Sequence, residues 1–253
     1  IPGWMAGHYR QQDIRIDLQN LAEHAGVNFV HAHMVAMDAD KRCVLLSDGS
    51  HLFYDQLSLD IGSESRRDWL EACGPTLLTV KPLEMFQQRW DEVVRDALAR
   101  DNYRLVVIGG GAAGVELALS AKKAGVERVA ERAAGTEVGV TLGSGESLRA
   151  DTVLAATGAS APAMLRTSKL SLDPDGFIRV DPFHRSLSHP EVFAAGDVCS
   201  RDDPHFQRSG VHAVHAGPVL ANNLLSAIDG RPMKTYRPRK NVLYLLACGD
   251  KYA

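Results

Sequence analysis

One segment limits the fold of this chain more than any other. Leu105-Val-Val-Ile-Gly109-Gly-Gly111-Ala-Ala-Gly114-Val-Glu116-Leu-Ala-Leu reads as an apolar strand, a GxGxxG loop and an alanine-rich helix running to about Ala124. A GxGxxG wedged between strand and helix is a phosphate-binding signature because each glycine has its own task. Gly109 makes the tight turn, Gly111 lets backbone approach a pyrophosphate, and Gly114 lets helix and strand pack closely. The helix start then offers free N–H groups and partial positive charge to the anion. A glycine-rich turn that holds no ligand is the alternative.

A second feature divides the chain. Val44 to Gly62 aligns without gaps on Val140 to Gly158, a shift of 96, with matches at Val44/Val140, Leu46/Leu142, Gly49/Gly145, Leu52/Leu148, Asp55/Asp151 and Gly62/Gly158. Each copy reads as a hairpin, a short link and an apolar strand ending in glycine, with Gly49 and Gly145 supplying positive φ at the turns. Any two hairpins share some likeness, but the common length and terminal glycine favour two related domains. Gly109 precedes Gly158 by 49 residues, whereas 49 residues before Gly62 stands Asp13 with no glycine loop near it. The first copy's fingerprint is therefore expected upstream of Ile1, in a longer polypeptide.

The second copy is short. Leu21-Ala-Glu-His-Ala-Gly26 resembles Val129-Ala-Glu-Arg-Ala-Ala-Gly135, and both read as helix ends followed by glycine. From Gly26 to Val44 there is room for a strand over Val27 to Met37; between Gly135 and Val140 there is none. Missing segments are expected near Gly125 to Glu127 and near Gly135 to Val138. Glu131, about 20 residues past the fingerprint, falls on a helix in this alignment and is not assigned as the ribose-binding acid.

Composition excludes several classes. With 253 residues, 45% of them hydrophobic and a formal net charge of -3, the chain has core enough for two modest domains and no electrostatic call for nucleic acid. Val242 to Cys248 falls far short of the roughly 20 residues of a membrane span. Cys43, Cys73, Cys199 and Cys248 form no CxxC or CxxxxC pair and read as reduced thiols of a cytoplasmic protein. His31 with His33, and His212 with His215, lack a third ligand, so no metal site is expected. Arg237-Pro-Arg-Lys240 reads as a solvated linker, with peripheral contact to an anionic membrane as the lesser alternative.

Further motifs carry a resemblance. Gly176-Phe-Ile-Arg-Val-Asp181, then His189-Pro-Glu-Val-Phe-Ala-Ala-Gly196-Asp197-Val198, with the fingerprint, Ala156-Thr157-Gly158 and Val80-Lys-Pro-Leu-Glu84, resemble the pyridine nucleotide-disulfide oxidoreductase superfamily. Pro2-Gly-Trp-Met-Ala-Gly-His-Tyr9 and Arg237-Pro-Arg-Lys-Asn-Val-Leu-Tyr-Leu-Leu246 are similar to its type II NADH dehydrogenase-like branch, some members of which are associated with selenide, water dikinase. The resemblance implies an α/β fold of two Rossmann-like three-layer nucleotide-binding domains. It implies FAD and NAD(P)H as cofactors, hydride passing from nicotinamide to flavin and on to a small-molecule electron acceptor. Asp197 beside Gly196 would bind the ribityl chain. Gly62 and Gly158 would end the strands beneath the two nucleotides. Val35 would meet adenine through its backbone, Lys81 with Pro82 would lie near the flavin, and the Ala213 amide at a helix start would face its pyrimidine edge. Glu116 would sit beside the nicotinamide. For Val35 a plain strand valine, and for Pro82 a helix start over Leu83 to Arg100, remain alternatives.

Departures narrow the class. No CxxxxC is visible, and Gly210-Val-His212-Ala213-Val-His215 stands where type II NADH dehydrogenases carry two glutamines, which puts a quinone acceptor in doubt. The expected layout is an FAD domain over residues 1–100 and 176–230, an NAD(P) domain at 101–175, and the start of an interface domain at 231–253. A sulfide or quinone flavin reductase and a non-catalytic nucleotide-binding module remain alternatives, and homodimer formation stays open.

Overall fold

The computed structural model describes residues 1–66, 68–126, 138–141, 145, 147–240 and 245–250. The expected missing segment near Gly135 lies largely outside these residues, as does Glu131, and the one near Gly125 does so in part. In chain order the elements are α1 (Pro2–Met5), α2 (Leu18–Ala25), β1 (Met34–Asp38), β2 (Cys43–Leu46), β3 (His51–Phe53), β4 (Leu57–Leu59) and β5 (Glu64–Ser65). Next come β6 (Leu77–Thr79), α3 (Leu83–Ala99), β7 (Leu105–Ile108), α4 (Ala112–Lys123), β8 (Val138–Thr141), β9 (Ser147–Ala150), β10 (Thr152–Ala155) and β11 (Ala159–Ser160). Last are β12 (Ile178–Arg179), β13 (Val192–Ala194), β14 (Cys199–Ser200) and α5 (Gly210–Ile228).

The chain forms two compact units. The first holds Ile1–Leu21, Ser65–Gly158 and Tyr244–Ala253. Its centre is a parallel sheet in the order β6-β10-β7, with Val153 paired to both Leu77 and Val106. Strands covered on both faces are apolar at nearly every position, and here only Thr79 and Thr152, the latter bonded to Tyr103 OH, depart from that. Leu78, Leu105 and Leu154 join Phe86, Trp90 and Val93 of α3 and Leu117 and Ala121 of α4 in one cluster. Val106, Val153 and Ala155 join Leu70, Cys73 and Ala150 in another. The alternation of the two sets along the strands gives three layers. On α3 an apolar stripe faces the core, with Leu83, Val94 and Ala97 packed beside Phe86, Trp90 and Val93.

This contact pattern moves the expected boundaries. Residues 65–100 go with the fingerprint, because β6 is a strand of its sheet and α3 covers it; the return falls after Gly158 rather than Asp175. The other unit holds Ala22–Glu64 and Ala159–Leu243. It contains the antiparallel sheet β1-β2-β3, the parallel pairs β4-β13 and β12-β14, and α5. Val44, Leu46, Leu59, Ile178, Val192, Ala194 and Val198 share its main core.

The internal repeat is visible in three dimensions. Val44 pairs with Leu52 in one hairpin and Val140 with Leu148 in the other, the same register after the shift. Gly49 and Gly145 have φ of 85° and 84°. The first turn is held by Asp48, whose Oδ1 accepts from Ser50 N at 2.9 Å.

One expectation changes. The strand drawn from Val27 begins only at Met34, because its partner β2 ends at Leu46 in the turn; Val27, Phe29 and Val30 are exposed. An interior proline ordinarily kinks or divides a helix, yet α5 runs through Pro218. Ala216, Leu220 and Asn223 anchor that helix on the core, and such packing offsets the roughly 3 kcal/mol of an interior proline. Residues 234–236 pack against α5 and its neighbours. Buried Asn223 donates to Lys234 O at 2.8 Å and accepts from Lys234 N at 2.8 Å, and Tyr236 N donates to Pro182 O at 2.8 Å.

Candidate nucleotide-binding crevices

In the fingerprint unit the parallel strands bring the ends of β7 and β10 side by side. Ala156 N donates to Ile108 O at 2.7 Å, so Gly109–Gly111 and Ala156–Gly158 share one rim. Gly109 has φ 126°, and a Cβ there would collide with the Ala156 carbonyl. A Cβ on Gly114 would collide with the Gly109 carbonyl. Gly111 differs: nothing lies within 4 Å of its Cβ position, and it caps α4 without any side-chain cap. Gly109 and Gly114 serve packing, and Gly111 keeps the helix start open. The first amides of α4 thus carry no side-chain cap and have free room beside Gly111, which suits a bound phosphate.

Lys81 follows β6 at the same end of the sheet. Its N–H donates to Ser65 Oγ at 3.2 Å, and Arg66 N donates to Gly158 O at 3.1 Å. Lys81 thus belongs to the fingerprint unit and not to the unit of Gly62 and Asp197. Glu116 lies on the second turn of α4, where its Oε1 accepts from Ala247 N at 2.9 Å.

The other unit repeats the arrangement with different strands. β4 and β13 run parallel, with Leu59 opposite Ala194, and Ala195 N donates to Leu59 O at 3.3 Å. Their ends place Gly62-Ser63 beside Gly196-Asp197, and Ser63 Oγ donates to Asp197 Oδ2 at 3.2 Å. Both glycines have positive φ, 70° and 72°. A Cβ on Gly196 would stand 3.5 Å from the Ala213 Cβ, so the first turn of α5 lies against the loop. The Ala213 amide itself closes that turn onto Ser209 O at 3.0 Å, and Ser209 Oγ accepts from His212 N at 3.4 Å. Gly210 and Val211 are left as the amides at the helix start. Val35 stands apart: it is an exposed bulge residue of β1, in the sheet that excludes β4 and β13.

Ser63, Ser209 and Tyr236 escaped the sequence reading. Ser209 was legible as an N-cap serine before the helix; Ser63 was not, because only the pairing of β4 with β13 brings it to Asp197. Behind α5, Tyr236 OH lies 3.3 Å from His212 Nδ1, and its ring is 5.1 Å from that of His184. Burial lowers the pKa of both histidines, for His212 with help from His215. Burial also pushes the Cys199 thiol up to about 12, which removes it as a thiolate nucleophile near neutral pH. Among the described residues no three His, Cys, Asp or Glu side chains gather as metal ligands, and no helix is long and apolar enough to cross a membrane.

Comparison with known proteins follows the same lines. The family profile described as pyridine nucleotide-disulphide oxidoreductase matches residues 125–219. The ferredoxin–NAD(+) reductase component of a 3-phenylpropionate/cinnamic acid dioxygenase from Photorhabdus laumondii is 28% identical, over 65% of this chain and 50% of that protein. An NADH dehydrogenase-like protein of Mycobacterium tuberculosis is 28% identical, over 88% of this chain and 68% of its own length. That alignment runs 274 positions against a chain of 253 residues, so the relative carries stretches with no counterpart here. Putidaredoxin reductase in its covalent complex with putidaredoxin superposes with a TM-score of 0.68 at 19% identity, over 92% of this chain and 66% of that one. The chain spans half the length of the first relative.

Proposed function

We propose, from its similarity over residues 125–219 to the pyridine nucleotide-disulphide oxidoreductase family and from its reductase relatives, that the chain is the nucleotide-binding part of an FAD-dependent NAD(P)H oxidoreductase. The observation that carries this reading is the pair of glycine-rimmed crevices at the ends of parallel strands, joined by an internal repeat of matching register. Ligands of open parallel sheets bind at such strand ends.

NAD(P)H is assigned to the fingerprint unit, where Gly111 and the bare start of α4 would hold its pyrophosphate and Gly158 would lie beneath it. FAD is assigned to the other unit, where Asp197, fixed by Ser63, would accept from a ribityl hydroxyl. Gly62 and Gly196 would let backbone approach the ligand. When bound, the two cofactors supply the hydride-transfer chemistry. The protein's share is to hold and align them: the α4 start binds the phosphates, and the Gly210 and Val211 amides of α5 would favour negative charge on whatever lies before them. Glu116 would position the nicotinamide.

The second acceptor is proposed to be a small electron-carrier protein, as the names of the ferredoxin reductase and putidaredoxin reductase relatives suggest. A sulfide-reducing reading is disfavoured by the raised pKa of Cys199 and the distant spacing of all four cysteines. The test is NADH-driven reduction of ferricyanide and of a ferredoxin by the FAD-loaded protein, before and after replacing all four cysteines by serine. Turnover should survive the replacement, and its loss in a folded variant would refute the cysteine-free reading.

A further inference from the structure

At the far end of α4 from its glycine loop, a cavity of about 490 Å³ opens between α1, α3 and the close of α4. A 12-residue helix is about 18 Å long, so the cavity is separate from the crevice at Gly111. Trp4, Tyr9 and Trp90 line it, with Val94 and Ala124, and Asp91 is the one charged side chain there among the described residues.

The aromatic walls are held in place by the fold. The rings of Trp4 and Phe86 meet edge-on at 6.0 Å, and those of Phe86 and Trp90 stack at 6.0 Å. Phe86 and Trp90 are buried in the α3 core, so both indoles rest on rigid support. Tyr9 is folded back by Gly7, whose φ is 77°, and by His8 N donating to Gly3 O at 2.8 Å. The Tyr9 ring lies over Gly3, where a Cβ would displace it. The Tyr9 ring is nevertheless half exposed.

The volume falls in the range of small-molecule sites. Among the described residues its lining brings together two indoles, a phenol and one carboxylate, with no cationic side chain. Aromatic faces attract cations through the ring quadrupole, and indole does so best. A carboxylate at the same site selects against anions, so this is not a second phosphate or nucleotide site. We propose that this cavity binds a small organic cation of the alkylammonium class, with Trp4, Tyr9 and Trp90 around its charged head and Asp91 as counter-ion.

Tryptophan fluorescence tests the proposal directly, because Trp4 and Trp90 are two of the three tryptophans. A Trp69→Phe background leaves only these two as reporters. Choline is titrated against its uncharged isostere 3,3-dimethylbutan-1-ol, with NADH present and absent. A saturable change with choline that NADH does not compete away, and a markedly weaker one with the alcohol, is the expected result. Trp4→Leu should weaken choline about fivefold, the scale of a cation–π contact. Asp91→Asn should weaken it about threefold, as for an exposed ion pair. Circular dichroism checks that each variant is folded. Equal binding of the alcohol would overturn the proposal in favour of a plain apolar pocket. No saturable change with choline, or displacement by NADH, would overturn it as well.

Discussion

At the scale of single residues, the glycines of the fingerprint separate into two kinds. Gly109 and Gly114 have no room for a Cβ, whereas Gly111 faces open space. Gly114→Ala should lower stability by about 2 kcal/mol or more, since backbone carbonyls must shift to admit the methyl. Gly111→Ala should leave the melting temperature nearly unchanged. A thermal melt of the two variants decides it. His184 and His212 carry a second prediction. Burial lowers their folded-state pKa below the ordinary value of 6.5, so the unfolded chain binds more protons as the medium turns acid. Their contribution to stability is present above pH 6.5 and is lost as pH falls toward their folded-state values. Melting temperature should decline below about pH 6.5, and His184→Gln with His212→Gln should flatten that decline. An unaltered pH profile in a folded double variant would refute it.

At the scale of elements, what was legible followed from local chemistry. The fingerprint needed only glycines between an apolar strand and a helix. The stripe on α3 needed only its spacing, and both hairpins needed only a glycine at the turn. The misses share a different cause. Val27 to Met37 has strand composition throughout, but a strand exists only where a neighbour pairs with it, and β2 ends at Leu46. Pro218 reads as a break, but the contacts that keep α5 continuous lie on other elements. Ser63 reaches Asp197 across 134 positions, a separation that no local pattern reports. The hairpins supply a test of the repeat itself. Gly49 and Gly145 share one backbone conformation and have nothing within 4 Å of a would-be Cβ. Gly49→Ala and Gly145→Ala should each cost about 1 kcal/mol, through backbone strain alone. Matched denaturant midpoints would support equivalent turns; a difference of several kcal/mol would show that the turns are only alike in sequence.

At the scale of the whole molecule, the domain boundaries were the least legible feature. The repeat located the two related strands correctly, but it could not say that residues 65–100 belong with the second copy. That follows from β6, whose pairing with β10 closes the fingerprint sheet on its other side. The division matters because each unit carries its own crevice, and the proposed cofactors should fail separately. Asp197→Ala removes the carboxylate that accepts from Ser63, within the unit that does not carry the fingerprint. It should lower flavin content, measured by visible absorbance per protein, and leave the binding of a nicotinamide nucleotide by the FAD-free protein within about twofold. Gly111→Val should do the reverse. Its side chain occupies the space where backbone would meet pyrophosphate, so KM for NADH should rise at least about tenfold while flavin content holds. The double variant should show both losses at full size, because independent sites are additive. Loss of flavin on Gly111→Val, in a protein with an unchanged melting temperature, would reverse the assignment of the two crevices.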